Sequence, residues 1–316
     1  MGSLSVPPKL PVINFSKEDL KPGTSSWLST AKEVLHALEE YGCFVAEYDK
    51  VPTKLHSSLF SSVKDLFDLP VETKQKNVSE IPFVGYSAAG MSMVAPLYQG
   101  MGFMGATIAE ETQTFTNTMW PDGNDHFCET VQSFTKLVGE LEQTVMRMVF
   151  ERYGIDHYYE SHKELTAYLF RMMKYKVPEK DEDNLGCHSH TDKYLLTILH
   201  QNHVTGLEVK TKDGQWIGFD NPSPSSFVVM AGESLLAWSN DRIYAPFHRV
   251  ILGGSEPRYS VGLFGGHKGL IEVPKELIDD QHPLKFKPFD IPGMLRYFLT
   301  EEGQKQESTV KGYSGV

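Results

Sequence analysis

Cysteine, positive charge and long hydrophobic runs are all scarce in this sequence. The 316 residues include three cysteines, an odd and widely spaced set formed by Cys43, Cys128 and Cys187. This spacing argues against a disulfide framework, and we expect free thiols in a reducing, cytoplasmic environment. No apolar stretch approaches the ~20 residues that span a bilayer, and the start of the chain lacks a signal-peptide hydrophobic region. We therefore expect neither a membrane-bound nor a secreted protein.

The charge balance is acidic, with 30 Lys and Arg against 41 Asp and Glu and a formal net charge of −11. Binding to nucleic acid or to an anionic lipid surface needs a basic face, which this balance disfavours. Hydrophobic residues make up 40% and aromatic residues 11%, enough to form a sizeable core. The composition predicts a globular protein whose ligand is a small molecule, and we expect a monomer.

Three regions differ in their residue patterns. Residues 1–160 predict a helical region with short strands, because apolar residues recur at helical spacing in three stretches: Leu28–Leu38, Leu55–Phe67 and Phe127–Met148. Residues 161–291 contain short β-branched and aromatic runs separated by turns, which is typical of a β-sandwich or barrel. Residues 292–316 predict a helix that begins near Pro292 and a polar tail. The fold class expected is mainly β with flanking helices.

A possible metal site begins with the motif His190-Thr191-Asp192. Residues two apart on a strand share a face, so this imidazole and this carboxylate can reach one cation. His248, beside a later predicted strand, is the best candidate for a third ligand. Two histidines and one carboxylate leave three positions of an octahedral metal open, the arrangement of non-haem Fe(II) oxygenases. The sequence thus predicts a metal site with room for further ligands.

Two other interpretations of this motif remain open. His190 and Asp192 could form no more than a hydrogen bond at the end of a strand. His188 lies on the same predicted strand face as His190 and is a rival ligand, although a His-x-His pair lacks the carboxylate. His188 is therefore better suited to support the ligands or to line the wall of the pocket than to bind the metal directly.

A second motif, Arg258-Tyr259-Ser260, follows His248 closely in the sequence. Strand periodicity places Arg258 and Ser260 on one face. A planar guanidinium holds a carboxylate through two parallel hydrogen bonds, and a neighbouring hydroxyl adds another donor. The pair is predicted to anchor the far end of a dicarboxylate cosubstrate.

Together these motifs resemble those of the plant soluble 2-oxoglutarate- and Fe(II)-dependent dioxygenases. Further segments extend the resemblance over most of the chain: Pro11–Asn14, Tyr41–Phe44 and Trp238–Asn240. Within that family the sequence is similar to the AOP-type enzymes, known for glucosinolate side-chain oxidation, in three segments: His190–Ile198, Gly206–Trp216 and Ala231–Glu233.

The resemblance implies a double-stranded β-helix, or jelly roll, with helices packed outside it. Carried over by position, it implies that His190, Asp192 and His248 hold Fe(II). It implies also that Arg258 and Ser260 bind the C5 carboxylate of 2-oxoglutarate.

Tyr175 matches the second tyrosine of the family's Arg-x-Asn-Tyr-Tyr-Pro strand, counted from Arg171, and is implied to donate to the same cosubstrate. Two departures stand out. Met173 replaces the usual asparagine, which puts one cosubstrate or substrate contact in doubt, and Glu47–Val51 replaces the usual Asn-His-Gly loop.

The activity implied is oxidation of a small molecule by O₂ with conversion of 2-oxoglutarate to succinate and CO₂. Hydroxylation, desaturation, demethylation and ring closure are all open outcomes. Ascorbate is expected to stimulate turnover, or, in an alternative within the class, to replace 2-oxoglutarate. Two alternatives from other classes are a Zn-dependent hydrolase using the same three ligands and a catalytically silent binding protein of jelly-roll fold.

Substrate selection is expected from segments folded over the mouth of the β core. Residues 81–106 are rich in glycine and methionine, and a mobile apolar loop there would line a pocket, although a plain connector or satellite core is the alternative. With the C-terminal helix, this segment predicts a site for a largely hydrophobic plant specialised metabolite. The candidate contacts are Met101, Phe103, Tyr297 and Phe298.

Overall fold

The computed structural model describes residues 9–88, 97–179, 183–220 and 222–316. The strands of this described part are β1 (Val12–Asn14), β2 (Cys43–Glu47), β3 (Tyr98–Met104), β4 (Thr166–Tyr175), β5 (Leu185–His190), β6 (Leu196–Gln201), β7 (Leu207–Lys210), β8 (Trp216–Gly218), β9 (Ser226–Ala231), β10 (His248–Ile251) and β11 (Arg258–His267). Its helices are α1 (Ser25–Glu40), α2 (Thr53–Asp68), α3 (Val71–Lys74), α4 (Ala109–Met119), α5 (Asp125–Arg152), α6 (Tyr159–Leu165), α7 (Glu233–Trp238), α8 (Ile291–Phe298), α9 (Glu301–Gln304) and α10 (Thr309–Ser314).

Two β-sheets form the centre of the molecule. The larger has seven strands in the order β1-β2-β9-β6-β11-β4-β3, and the smaller has four in the order β5-β10-β7-β8. Apolar side chains of both sheets pack together, with Met173 and Tyr175 of the larger sheet in one cluster with Val250 of the smaller. The sheets therefore face each other as in a jelly roll. This confirms the predicted mainly β fold with flanking helices.

Helices α1 and α2 each pack on α5, and all three contact the larger sheet. Helix α5 is 28 residues long and begins at Asn124, whose side chain accepts a hydrogen bond from the backbone N–H of Phe127. Its apolar face meets the sheet where Phe134 lies beside Phe170 and Phe227, with ring centroids 6.0 and 6.3 Å apart. The helices predicted from apolar periodicity in the first 160 residues are all present.

Gly42 explains how the chain turns from α1 directly into β2. Its φ is +70°, a conformation that glycine adopts without strain. A Cβ atom at this position would lie 2.4 Å from the carbonyl oxygen of Tyr244. The turn therefore needs glycine both for its conformation and for the close approach of the neighbouring chain.

The structure corrects the expectation of a loop over the whole of residues 81–106. Tyr98–Met104 is the edge strand β3 of the larger sheet, paired antiparallel with β4. Met91 and Met93 lie outside the described residues. Strands β1, β2 and β3 all join the larger sheet, so that sheet includes residues from both sides of the predicted boundary between 1–160 and 161–291. The division into three regions stays a prediction.

The C-terminal helix α8 begins at Asp290, whose carboxylate accepts from the N–H of Gly293, and Pro292 occupies its first turn. The polar tail expected after it instead forms α9 and α10, because the side chains of Thr300 and Ser308 cap two further helices. No helix within the described ranges is long and apolar enough to cross a membrane.

Candidate active site

Three potential metal ligands meet between the two sheets. Nε2 of His190 lies 4.0 Å and Nε2 of His248 lies 3.8 Å from Oδ1 of Asp192. One ligand atom from each residue falls within 4.8 Å of the other two, a separation that one cation can bridge. The side chain of His190 is 34% exposed, whereas those of Asp192 and His248 are 9% and 6% exposed. The site is therefore open on the His190 side and buried on the other.

Strand pairing positions the two histidines. His248, at the start of β10, pairs directly with His190, at the end of β5, and their ring centroids are 4.2 Å apart. Nδ1 of His190 lies 2.8 Å from the carbonyl oxygen of His188, and a carbonyl can only accept. The Nδ1 atom of His190 therefore carries the proton, which leaves Nε2 free as a ligand atom. His188 itself is exposed and contributes its backbone carbonyl, so the structure does not support it as a rival ligand.

Asp192 reaches the site from a loop, not from the strand that the sequence predicted. Strand β5 ends at His190, and the next residues turn towards α7. Glu233 at the start of α7 fixes this turn, because its carboxylate accepts from the hydroxyl of Thr191 and from Nζ of Lys193. The backbone N–H of Glu233 donates to the carbonyl oxygen of Asp192 at 2.8 Å. The shared-face argument was thus wrong for Asp192, although the two side chains do converge.

The donor set fits a divalent cation. Oδ2 of Asp192 is buried and has no hydrogen-bond partner in the described part of the chain. A buried carboxylate oxygen without a donor is costly, and a cation at this point would remove the cost. Two imidazoles and one carboxylate suit Fe(II) with open positions.

Arg258, Ser260 and Tyr175 come together deeper in the same cavity. Nη1 of Arg258 donates to Oγ of Ser260 at 3.1 Å, and the guanidinium carbon lies 5.0 Å from the centre of the Tyr175 ring. Tyr175 lies opposite Arg258 in the pairing of β4 with β11. The prediction that Arg258 and Ser260 share a strand face is correct. Burial raises the pKa of Tyr175, so its phenol stays protonated and can donate a hydrogen bond.

Gln201 belongs to this group and was not found from the sequence. Its Oε1 accepts from Nη2 of Arg258 at 2.8 Å, which orients the guanidinium. Gln201 lies across from Ser260 in the pairing of β6 with β11. Gln201 and Arg258 are 57 residues apart in the sequence, so their contact could not be predicted from local patterns. Nε of Arg258 remains buried without a partner among the described residues, and none of the ion pairs found between described residues includes Arg258. This cation therefore suits an anionic ligand.

A cavity of about 210 Å³ is lined by the three potential metal ligands and by Arg258, Ser260 and Tyr175, and its lining is mainly apolar. Phe298 lines it, as predicted, and lies against Phe83 with ring centroids 5.8 Å apart. Met173 also lines it, between Arg171 and Tyr175 on β4. The apolar lining includes Leu169, Leu199, Leu207, Val250, Phe264 and Leu295.

Three of the candidate substrate contacts lie elsewhere, which corrects the prediction. Met101 and Phe103 are buried in the helical core, where Phe103 stacks on Phe115 with centroids 4.5 Å apart. The reason is the alternation of β3, whose Tyr98 faces the cavity and whose odd-numbered positions face the helices. Tyr297 packs on Tyr313 of α10, on the side of α8 away from the cavity.

Comparison with known proteins identifies the family. Residues 157–267 match the 2OG-Fe(II) oxygenase superfamily, and residues 10–124 match the N-terminal region of the non-haem dioxygenases in morphine synthesis. The chain therefore belongs to the 2-oxoglutarate- and Fe(II)-dependent oxygenases. It is similar to the probable 2-oxoglutarate-dependent dioxygenase AOP1 of Arabidopsis thaliana, with 45% identity over 99% of both chains. It shares 32% identity with the 2-oxoglutarate-dependent dioxygenase AOP3 of the same plant, over 100% of this chain and 99% of that one.

Solved structures agree with this assignment. The dioxygenase for auxin oxidation from rice superimposes with a TM-score of 0.81 and 27% identity over 97% of this chain and 100% of that one. The related Arabidopsis thaliana enzyme, solved with 2-oxoglutarate, gives a TM-score of 0.77 and 27% identity over 87% of this chain and 99% of that one. The protein is a dioxygenase that uses Fe(II), 2-oxoglutarate and O₂ on a small-molecule substrate. This family assignment favours a dioxygenase over the Zn-dependent hydrolase and the catalytically silent binding protein.

Proposed function

We propose that His190, Asp192 and His248 bind the Fe(II) of this dioxygenase. The observation that supports this most strongly is that their ligand atoms lie within 4.8 Å of one another and that a carboxylate oxygen of Asp192 is buried without a hydrogen-bond partner among the described residues. When bound, the iron supplies O₂ activation and the oxidation of 2-oxoglutarate to succinate and CO₂. The protein holds the three side chains in place and limits access of water through the burial of Asp192 and His248.

The cosubstrate site proposed next to it consists of Arg258, Ser260 and Tyr175. The guanidinium would hold the far carboxylate of 2-oxoglutarate through two parallel hydrogen bonds, and the Ser260 hydroxyl and the Tyr175 phenol would add donors. Gln201 keeps the guanidinium oriented. Burial lowers the pKa of Arg258, which means that its charge is held at a cost that a bound anion would offset.

The prime substrate is proposed to be a largely hydrophobic plant specialised metabolite. The apolar cavity lining with Phe298 at one edge supports this size and character. The plant origin of AOP1 and AOP3, and the auxin oxidation named for the rice enzyme, point in the same direction. Ascorbate is proposed to stimulate turnover. We also propose a cytoplasmic monomer that binds no nucleic acid, a view supported by the net charge of −11 and the three free cysteines.

Asp192→Ala tests the metal proposal. The variant should keep its fold, because Asp192 lies in a loop and contributes no core volume, yet lose Fe(II) binding and 2-oxoglutarate turnover. Calorimetric titration with Mn(II) measures metal affinity independently of turnover. Asp220→Ala, at a position in the described part that does not line the cavity, is the matched control. Wild-type metal affinity in Asp192→Ala would refute the assignment.

The substrate proposal needs a screen. Plant leaf extract is incubated with Fe(II)-loaded protein and O₂, with and without 2-oxoglutarate, and analysed by mass spectrometry. Mass changes that need 2-oxoglutarate and appear among apolar small molecules are the expected result. Conversion restricted to strongly polar sugars or nucleotides would contradict the proposed substrate character.

A further inference from the structure

The cavity is lined by one positively charged side chain to which the proposed function assigns no role. Its lining includes four charged side chains, of which Asp192 and Arg258 are assigned to metal and cosubstrate. Nζ of Lys193 lies 2.7 Å from the carboxylate of Glu233, which neutralises its charge. Arg171 remains, and within the described ranges no carboxylate forms an ion pair with it. A positive charge facing the substrate space therefore lacks a counter-charge.

The hydrogen-bond donors of Arg171 are also largely unused. Its Nη2 donates to the phenol oxygen of Tyr98 at 2.6 Å, the sole hydrogen bond that this guanidinium makes to a described residue. Its Nε is buried without a partner. Because the oxygen of Tyr98 accepts from Arg171, its own hydrogen is free to donate into the cavity, which Tyr98 also lines. Two neighbouring side chains thus offer donors and no acceptor.

Glycines flank Arg171 on both neighbouring strands. Arg171 pairs across β3 with Gly102 and across β11 with Gly262. A Cβ atom at Gly102 would lie 2.9 Å from Cγ of Arg171, closer than such atoms can approach. Gly102 therefore leaves room for the Arg171 side chain itself, whereas the space over Gly262 is filled by Phe264 and Leu199. Arg171 reaches the cavity and lines it.

The position of Arg171 separates it from the cosubstrate anchor. Arg171 and Tyr175 share the cavity face of β4 and lie four residues apart, which corresponds to about 13 Å along a strand. Tyr175 lies opposite Arg258. The two arginines thus extend from different strand positions, and Tyr98, which pairs with Tyr175 at a centroid distance of 5.4 Å, contacts both Arg171 and the cosubstrate end of the cavity.

We propose that Arg171 and Tyr98 bind a carboxylate of the prime substrate, so that the enzyme oxidises small, mainly apolar carboxylic acids. The inference rests on the proposed function, because it takes Arg258 as the cosubstrate anchor. The substrate carboxylate accepts from Nη1 of Arg171, for which no hydrogen bond to a described residue is found, and from the Tyr98 hydroxyl, and it neutralises the unpaired charge. The apolar remainder packs on Leu295 and Phe298, which line the same cavity.

Binding of matched probes tests the proposal. Phenylacetate, 4-phenylbutanoate and octanoate are each compared with their primary amides by calorimetry, with Mn(II) and 2-oxoglutarate present. At least one acid should bind about 10- to 150-fold more tightly than its amide, the range expected from a charge-assisted hydrogen bond. Arg171→Gln should remove the preference. Arg147→Gln, at an exposed position on α5 paired with Glu151, should keep it.

Equal affinity of every acid and its amide, including no measurable binding of either, would overturn the proposal. Retention of the acid preference by Arg171→Gln would do the same. Should Arg171→Gln fail to fold, Tyr98→Phe keeps the ring and removes one donor, and should reduce the preference about 2- to 12-fold. An unchanged preference in a folded Tyr98→Phe would also count against the site.

Titration with 2-oxoglutarate distinguishes failure of the substrate-carboxylate site from failure of the cosubstrate site. Arg171→Gln should keep wild-type affinity for 2-oxoglutarate, whereas Arg258→Gln should lose it. The reverse pattern would refute the proposed function as well. In the extract screen, methyl esterification of carboxylates should abolish conversion, while sulfatase or phosphatase treatment should not. Conversion that survives esterification, or that is lost after sulfatase or phosphatase, overturns the carboxylate assignment alone.

Discussion

A buried pair of imidazoles should make the stability of this fold depend on pH. Nδ1 of His200 lies 3.0 Å from the carbonyl oxygen of Ser226, and its Nε2 lies 2.8 Å from Nδ1 of His56. Because the carbonyl can only accept, His200 is protonated on Nδ1, and its Nε2 accepts from His56. His200 is 2% exposed and packs against Phe134 and Phe227. A second proton on His200 would meet the N–H of His56 and no acceptor.

Burial, reinforced by His56, lowers the pKa of His200 from 6.5 to about 3. The folded-state pKa lies below the unfolded-state value, so the unfolded chain takes up the proton first. The contribution to stability is therefore complete above about pH 6.5 and is lost as the pH falls below that value. Between about pH 8 and about pH 5, one site with these two pKa values loses about 2 kcal/mol of free energy of unfolding.

The comparison of His200→Gln with wild type isolates this effect from the other titrating groups. Glutamine can donate to the Ser226 carbonyl and accept from His56, but it does not titrate. Urea denaturation followed by circular dichroism, at several pH values between about 8 and 5, gives the free energy of unfolding for each protein. The variant should be less stable at pH 8 and should lose about 2 kcal/mol less on acidification. His203→Gln, at a side chain 76% exposed, is the control. Parallel pH profiles of wild type and His200→Gln would refute the reasoning.

Three further predictions concern the cavity. Arg258→Lys should raise the KM for 2-oxoglutarate about 10- to 150-fold, because an ammonium cannot form the bidentate contact; an unchanged KM in steady-state assays would exclude Arg258 as the anchor. Phe298→Ala should lower kcat/KM for the prime substrate about 5- to 150-fold and leave 2-oxoglutarate affinity unchanged, whereas Met101→Ala should cost about 2 to 5 kcal/mol of stability and leave substrate kinetics normal. Similar kinetics in both variants would contradict the cavity assignment. Glu233→Gln should weaken Mn(II) binding about 10- to 100-fold, because Lys193 would lose its counter-charge and the turn that carries Asp192 would lose its support. Wild-type Mn(II) affinity by calorimetry would show that Glu233 does not position the site.

Local patterns predicted much of the fold and the chemical groups of the site. Helical periodicity depends on the sequence alone, and the three predicted helical stretches appear in α1, α2 and α5. The spacing of Arg258 and Ser260 fixed their shared face, because both lie within one regular strand. His190 and His248 could be paired as candidates because ligand chemistry restricts the choice of residue types.

Contacts between distant segments could not be predicted in the same way. Gln201 meets Arg258 because β6 and β11 are neighbours in the larger sheet, an order that the sequence does not reveal. Glu233 fixes the turn that carries Asp192 and also accepts from the backbone N–H of Val310 in α10 at 2.6 Å, a contact that depends on how the C-terminal helices dock. For Met101, the error was to assign a loop where a strand alternates between cavity and core.

The structure suggests a physical consequence of methionine at position 173, where the family usually has asparagine. Met173 lies between Arg171 and Tyr175 on the cavity face of β4 and opposite Ser260. Its Sδ lies 4.0 Å from the Tyr175 hydroxyl, and a thioether is a weak acceptor. An asparagine here would offer a strong acceptor that competes for the Tyr175 proton. Methionine instead leaves that phenol free to donate to a carboxylate, and it places an apolar side chain between two cationic groups. In the arrangement proposed above, each guanidinium can then bind its own anion without a polar side chain between them.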